Sequence, residues 1–296
     1  MSTTVALIGG TGLLGSHILK ALAKAGEQGK YKVVAFHRAS SDTSKWPKSV
    51  EKRVLDNDKA SASEVAEALK GVDILLAAGK NTAEGGKLFL DNLAKLPKGQ
   101  LKVFVPSWFT ANWTQDELDD EKFLYRYQKY QLLKYAESLD LPITTFAATL
   151  FEDYVYPAWD FLSIDVAGNR VAFYGDARNQ KFTSISLDYL GESIAQLFNT
   201  PNFGPGQKYT LQETVFTGQE LIDTLTKAHG KAPTVTAYTD ADVEEAQKNP
   251  GAGLGAAWRV HWGKGRWNTV NLFQPAGIQK RTLDQAVRFW INKGKL

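Results

Sequence analysis

Short apolar runs alternate with helix-spaced apolar positions along the first half of the chain. Residues 5–8 (VALI), 31–36 (YKVVAF), 53–55 (RVL), 72–78 (VDILLAA), 101–105 (LKVFV) and 143–147 (ITTFA) are runs of strand length. Runs of that kind suit strands buried on both faces. Between them, residues 15–25, 62–70, 84–95 and 117–139 carry apolar side chains at helical spacing. This alternation predicts an α/β fold with a parallel sheet covered on both sides. Beyond residue 150 the pattern is more broken, with turn signals at Gly168-Asn169 and Gly175-Asp176 and a loop over 201–206. Helices are expected over 187–198, 218–229, 240–247 and 283–292. Thr217 with Glu220 and Thr282 with Gln285 have capping-box spacing, and Thr239 with Asp242 is a weaker version. Residues 249–265 (NPGAGLGAAWRVHWGKG) hold five glycines and two tryptophans and are expected to form a mobile flap over a pocket.

The turn after the first apolar run changes the picture most. Residues 9–15 read GGTGLLG, between an expected strand and an expected helix. That context turns a glycine pattern into a dinucleotide site. Gly9 allows the tight turn, Gly12 lets the backbone approach a pyrophosphate, and Gly15 lets the helix pack close to the strand. Thr11, Leu13 and Leu14 complete the turn at the helix N-terminus, whose free N–H groups and dipole favour phosphate. Ala78 and Gly79, at the end of the fourth strand, join the cofactor set. The second strand ends in Phe36-His37-Arg38, with no carboxylate for ribose hydroxyls. Arg38 is placed for a 2′-phosphate, Lys45 follows in the loop, and His37 flanks the adenine. The cofactor is therefore NADP(H) rather than NAD. Asp56 reads equally as an adenine contact or a turn residue. Together these features specify a Rossmann-type doubly wound parallel sheet with a smaller C-terminal substrate lobe. The expected division is 1–150 for the cofactor domain, with returning segments near 181–200, and 151–296 mainly for the substrate lobe.

Composition narrows the partners. The chain has 296 residues, 43% apolar and 23% charged, with a net charge of +3. That is ordinary globular composition, too nearly neutral to argue for nucleic acid or a membrane surface. With no cysteine there is no disulfide, thiolate metal site or cysteine nucleophile. The first strand starts almost at Met1, and no apolar run reaches spanning length, so a cytoplasmic monomer or homodimer is expected. His17, His37, His229 and His261 have no metal-ligand spacing, and His261 reads as a packed residue.

The fifth strand ends in Val105-Pro106-Ser107-Trp108-Phe109, where a serine faces the reacting end of a cofactor. In the helix that follows, about 100° per residue puts Tyr125, Lys129, Leu132, Ala136 and Leu139 on one stripe facing the sheet. A lysine on such a stripe is unusual because burying its charge is costly. Tyr130 and Lys134 repeat the spacing on the opposite side. The candidate catalytic set is thus Lys129, Tyr125 and Ser107. Trp108, Phe109 and Trp113 after the fifth strand, and Phe151, Tyr154 and Trp159 after the sixth, form a candidate aromatic substrate wall.

The glycine turn, Arg38, the VPSWF segment and residues 129–154 (KYQLLKYAESLDLPITTFAATLFEDY) resemble the NmrA-like and isoflavone reductase-like branch of the atypical short-chain dehydrogenases. The resemblance covers most of the chain, including Gly175-Asp176 and 186–191. It implies an NADPH-binding fold with Lys129, upstream of Leu141-Pro142-Ile143-Thr144, as the catalytic group. Ser107-Trp108-Phe109-Thr110 departs from the Ser-Glu-Phe-Gly of the plant reductases by exchanging an acid for an aromatic. Tyr125 adds a tyrosine–lysine pair like that of the main dehydrogenase branch. The resulting expectation is an NADPH-dependent reductase of a carbonyl or conjugated double bond in a small aromatic or polyketide-like molecule. An NADP-binding regulator without turnover and a non-redox cyclase or rearrangement enzyme on the same fold remain the alternatives.

Overall fold

The structure is a computed structural model that describes residues 2–79, 83–157 and 159–293. Its central sheet is built from β1 (Thr4–Ile8), β2 (Lys32–His37), β3 (Glu51–Val54), β4 (Ile74–Ala77) and β5 (Val103–Val105). These lie in the order β3-β2-β1-β4-β5, all parallel. The pleat sorts the apolar runs residue by residue. Val5, Leu7, Val33, Ala35, Ile74, Leu76, Val103 and Val105 point into one core, while Ala6, Ile8, Val34, Phe36, Leu75 and Phe104 point into another. Each face then needs its own cover.

The first face is covered by α1 (Leu13–Glu27) through Ile18, Leu19 and Leu22. The second is covered by α2 (Ala62–Ala68), α3 (Ala83–Ala94) and the far end of the helix over Leu124–Ser138. The helix expected over 117–139 is two helices, α4 (Gln115–Leu118) and α5 (Leu124–Ser138). The expected sixth strand also divides. Ile143 bridges Phe104 at the sheet edge, and then β6 (Thr145–Ala147) turns away.

The remaining elements are β7 (Leu150–Phe151), α6 (Glu152–Val155), α7 (Trp159–Leu162), β8 (Ile164–Asp165), β9 (Arg170–Tyr174), β10 (Lys181–Ile185) and α8 (Leu187–Leu197). They are followed by β11 (Lys208–Leu211), β12 (Thr214–Thr217), α9 (Gly218–His229), β13 (Thr234–Tyr238), α10 (Asp240–Gln247), α11 (Pro250–Gly263), β14 (Leu272–Phe273) and α12 (Leu283–Lys293). They make three small sheets, β12-β10-β7, β14-β11-β6 and β13-β9-β8. α8 returns to the first domain face, where Leu190 and Ile194 join the core beneath α1. A third, aromatic core gathers Tyr156, Phe182, Phe216, Trp258, Trp262 and Trp290 with Trp108, Trp113 and Phe123.

The capping signals read from the sequence are present at α9, α10 and α12. The expected flap is not. Residues 250–263 form α11, most of it buried. Asn249 caps it by accepting hydrogen bonds from the N–H groups of Gly251 and Ala252, and Pro250 opens its first turn. Two of its glycines serve close packing: a Cβ at Gly255 would lie 2.3 Å from the Phe161 carbonyl oxygen, and one at Gly263 2.2 Å from that of Tyr174.

Candidate active site

Parallel sheets gather their ligands beyond the carboxyl ends of the strands, where the chain order switches direction. Here the switch lies between β1 and β4. The two strand ends touch there, and the glycine turn is shaped by that contact. Gly9 has φ of +89°, and a Cβ on it would lie 2.6 Å from the Gly79 nitrogen. A Cβ on Gly15 would lie 2.0 Å from the Gly9 carbonyl oxygen, so α1 can start close under the turn only with glycine there. The Gly12 N–H donates to the Gly9 carbonyl at 3.0 Å and closes the loop. Gly12 is the N-cap of α1, has no side chain to cap it, and is followed by no acidic residue in the first turn. This leaves helix N–H groups facing an uncharged glycine surface, which fits a dinucleotide pyrophosphate.

A cavity of about 790 Å³ runs from this turn across the strand ends. Its first half is lined by Gly9, Thr11, Gly12, Leu13, Leu14, Phe36, His37, Arg38, Ala78 and Gly79. Gly15 supports it from beneath. Arg38 stands at the rim, half exposed, with Nη2 2.8 Å from Asp58 and Nε 3.4 Å from Asp56. His37 donates from Nδ1 to the Arg38 carbonyl at 2.9 Å and meets Trp46 edge to face. Lys45 is exposed and Asp56 turns to Arg38; neither lines this cavity. Asp58 was not singled out from the sequence, because nothing in an Asn-Asp pair distinguishes it from a turn.

The second half is lined by Ser107, Trp108, Phe109 and Thr110 after β5, by Tyr125, Arg126 and Lys129 of α5, and by Thr149, Leu150 and Phe151. Tyr154, Asp160, Phe161 and the start of α11 (Gly251, Ala252 and Leu254, with Trp258 further along) complete it. Leu132, Ala136 and Leu139 of the α5 stripe pack under the sheet, whereas Tyr125 and Lys129, at its N-terminal end, reach the cavity. The Lys129 Nζ lies 5.9 Å from the centre of the Tyr125 ring. Burial raises the Tyr125 pKa, with Tyr154 adding to it, so the phenol stays protonated at neutral pH. Lys134 is exposed and lies over the Tyr130 ring.

Two of the six aromatic candidates stand elsewhere. Trp113 is buried behind the wall, 4.8 Å from Trp258 and 4.7 Å from His261 between ring centres. Trp159 carries the Arg170 guanidinium over its ring and does not line the cavity. Sequence reasoning missed Arg126, Thr149, Phe161 and Trp258. Thr149 is a β-branched residue held at φ of +56° with 1% exposure, an uncommon conformation that concentrates at binding sites. His261 is fully buried, and its Nδ1 donates to both Glu117 carboxylate oxygens at 3.0 Å. Among the described residues no group of three metal-binding side chains occurs, and no helix is long and apolar enough to cross a membrane.

No curated protein matches the sequence. Solved structures do match the fold over nearly the whole chain. An isoflavone reductase gives a TM-score of 0.75 at 19% identity, covering 99% of this chain and 100% of that one. A binary complex of leucoanthocyanidin reductase with NADPH from Vitis vinifera gives 0.74 at 15%, covering 98% and 99%. An NADPH-dependent quinone oxidoreductase from Escherichia coli gives 0.67 at 20%, covering 96% and 98%. The glycine turn, the β3-β2-β1-β4-β5 sheet and α8 packed back on it all fall within residues 1–250, the span matched by the NmrA-like family model, and the chain belongs to that family.

Proposed function

We propose that the protein is an NADPH-dependent reductase acting on a carbonyl or conjugated double bond of a small aromatic or polyketide-like molecule. Residues 1–150, with the segment near 181–200, serve as the cofactor domain, and residues 151–296 mainly as the substrate lobe. The observation that carries this reading is one continuous cavity. It has a bare glycine turn at one end, and Lys129, Tyr125 and Ser107 among aromatic walls at the other. Gly9, Thr11, Gly12, Leu13 and Leu14 would hold the pyrophosphate, with Ala78 and Gly79 beside it and His37 and Arg38 at the adenosine end. Lys45, Asp56, Trp113 and Trp159 do not line this cavity and are left out of the proposed set. When bound, NADPH supplies the hydride.

The chain's own part is binding and proton delivery. Trp108, Phe109, Phe151 and Tyr154 hold a flat substrate and exclude water from it. Ser107 Oγ orients the acceptor oxygen. Lys129 holds a proton at Nζ and gives it to the oxygen on which charge develops, directly, through Tyr125 or through water. Tyr125, a phenol protonated at neutral pH, serves as a hydrogen-bond donor rather than a base.

Single-turnover absorbance of NADPH against a panel of aromatic ketones, enones and quinones, with product mass spectrometry, tests the proposal. Oxidation of NADPH matched by substrate reduction is expected. Lys129→Ala should slow it about a hundredfold or more, while Lys134→Ala, on the exposed face, leaves it near wild type. Binding of NADPH without oxidation would favour a regulator, and conversion with NADPH unchanged a non-redox enzyme.

A further inference from the structure

Away from the cavity, one sheet edge is open. β13 is an outer strand of the sheet β13-β9-β8, and no residue of it lines the cavity. It reads Thr-Val-Thr-Ala-Tyr, uncharged and rich in strand formers. Thr234, Val235, Thr236 and Ala237 are all exposed, Val235 by 43%. Elsewhere the fold blunts its edges. β3 carries Glu51, Lys52 and Arg53, β7, β8 and β14 are two residues long, and Ile143 bridges the outer side of β5. The pairing with β9 fixes which groups β13 leaves open. The strands run parallel with Thr234 beside Arg170, and the Thr234 N–H donates to the Asn169 carbonyl at 3.0 Å. In a parallel ladder such a residue turns both its N–H and its carbonyl to the neighbour, and the next residue turns both away. Thr234, Thr236 and Tyr238 therefore serve β9, while Val235 and Ala237 present their N–H donors and carbonyl acceptors outward. The open stretch is bounded at both ends. Pro233 has no N–H, and the Thr239 N–H is held by Asp242 at 2.7 Å in the cap of α10.

We propose that β13 is a dimer edge, on which β13 of a second copy of this chain adds antiparallel about a two-fold axis at Thr236. Open residues at alternate positions are complementary to themselves in that arrangement. Val235 of each copy pairs with Ala237 of the other, and every outward donor and acceptor of both residues is satisfied. Thr236 lies opposite Thr236, and Val235 opposite Ala237, cross-strand pairs that suit a sheet. Charge favours the same direction. Lys231 precedes the strand and Asp240 follows it, both exposed, and the partner of Asp240 is the uncharged Tyr174 hydroxyl. Antiparallel addition brings the lysine end of one copy to the aspartate end of the other, whereas parallel addition sets like beside like. The result is one continuous sheet across both copies. Contact along a short edge buries little area, so the dimer forms reversibly with concentration.

Sedimentation equilibrium from low to high micromolar protein reads the association, with circular dichroism and Tm as checks on folding. Wild type should pass from monomer to dimer over that range. Val235→Pro removes an outward N–H and leaves the bonds to β9, so it should stay folded and weaken dimerisation by about tenfold or more, since each dimer loses the bond twice. Thr236 faces its own counterpart across the axis. Thr236→Lys and Thr236→Asp should therefore each be monomeric alone, through like charges set opposite each other, and should form a heterodimer when mixed. These two variants also keep the test decisive if Val235→Pro fails to fold. A wild type that stays monomeric overturns the inference and leaves the edge to an extended segment of another protein. A dimer that survives in folded Val235→Pro or in either Thr236 variant alone also overturns it, as does a mixture of the Thr236 variants that stays monomeric.

Discussion

Arg38→Ala probes the cofactor assignment where the structure makes the outcome least obvious. The guanidinium does not stand alone at the rim: Nη2 is 2.8 Å from Asp58, Nε is 3.4 Å from Asp56, and half of the side chain faces solvent. A 2′-phosphate would share Arg38 with two carboxylates. A hydrogen bond to a charged group contributes about 1.5–3 kcal/mol, and solvent screening places Arg38 at the lower end. Removing it also uncovers Asp56 and the more buried Asp58, which add repulsion of about 1 kcal/mol or more between them. The expected loss in NADPH affinity is thus about tenfold to a hundredfold. NADH lacks the phosphate and should change by less than about threefold, within the effect of a rim contact. Asp58→Asn moves the other way: it frees Arg38 and lowers the repulsion, so NADPH should bind severalfold more tightly. Titration calorimetry with both nucleotides, at low and high salt, reads all of this, and salt should shrink each NADPH effect. Equal losses for the two nucleotides in Arg38→Ala would refute the phosphate role, as would weaker NADPH binding by Asp58→Asn.

Other predictions follow from single contacts. Gly15→Ala places a Cβ 2.0 Å from the Gly9 carbonyl and should lower stability by about 1–3 kcal/mol, whereas Gly12→Val, where the nearest atom to a Cβ is 3.4 Å away, should keep its circular dichroism and lose the NADPH-dependent rise in Tm; a stable Gly15→Ala contradicts the turn geometry. Burial, opposed by Arg281 and reinforced by Glu213, pushes the Glu152 carboxyl up to about 7, above the roughly 4.3 of an unfolded chain. The folded state therefore holds the extra proton between those values, and this contribution to stability is full below the lower one and lost as pH rises through the upper. Glu152→Gln should flatten Tm against pH in that window, and an unaltered slope would count against the buried acid. Tyr125→Phe should cost less turnover than Lys129→Ala, because a neutral phenol orients rather than titrates; an equal loss would point to a tyrosine–lysine relay.

The glycine-turn end of the cavity was legible because its causes are local. Consecutive residues of β1 and β2 alternate between two cores, so an apolar run already announces a strand covered twice. The spacing of Gly9, Gly12 and Gly15 follows from one turn meeting one helix. The caps at Thr217, Thr239 and Thr282 each depend on a residue three positions away. α11 shows where such reasoning stops. Five glycines in 249–265 read as mobility, yet the Asn249-Pro250 start was a helix signal, and Gly255, Gly263 and Gly265 meet Phe161, Tyr174 and Gln180, which are remote in sequence.

The far end of the cavity depends on such remote meetings throughout. Tyr125 and Arg126 are adjacent on α5, and by helical position alone the tyrosine claims the inward stripe and the arginine faces about 100° away. The structure reverses their burial, with Tyr125 37% exposed and Arg126 3%. Trp113 and Phe123, from the connection between β5 and α5, pack on the guanidinium. His261, from α11, occupies the carboxylate that would otherwise have paired with it. No periodicity on α5 encodes either event. How deeply a charged side chain is buried, and which carboxylate it finds, depend here on how distant segments meet.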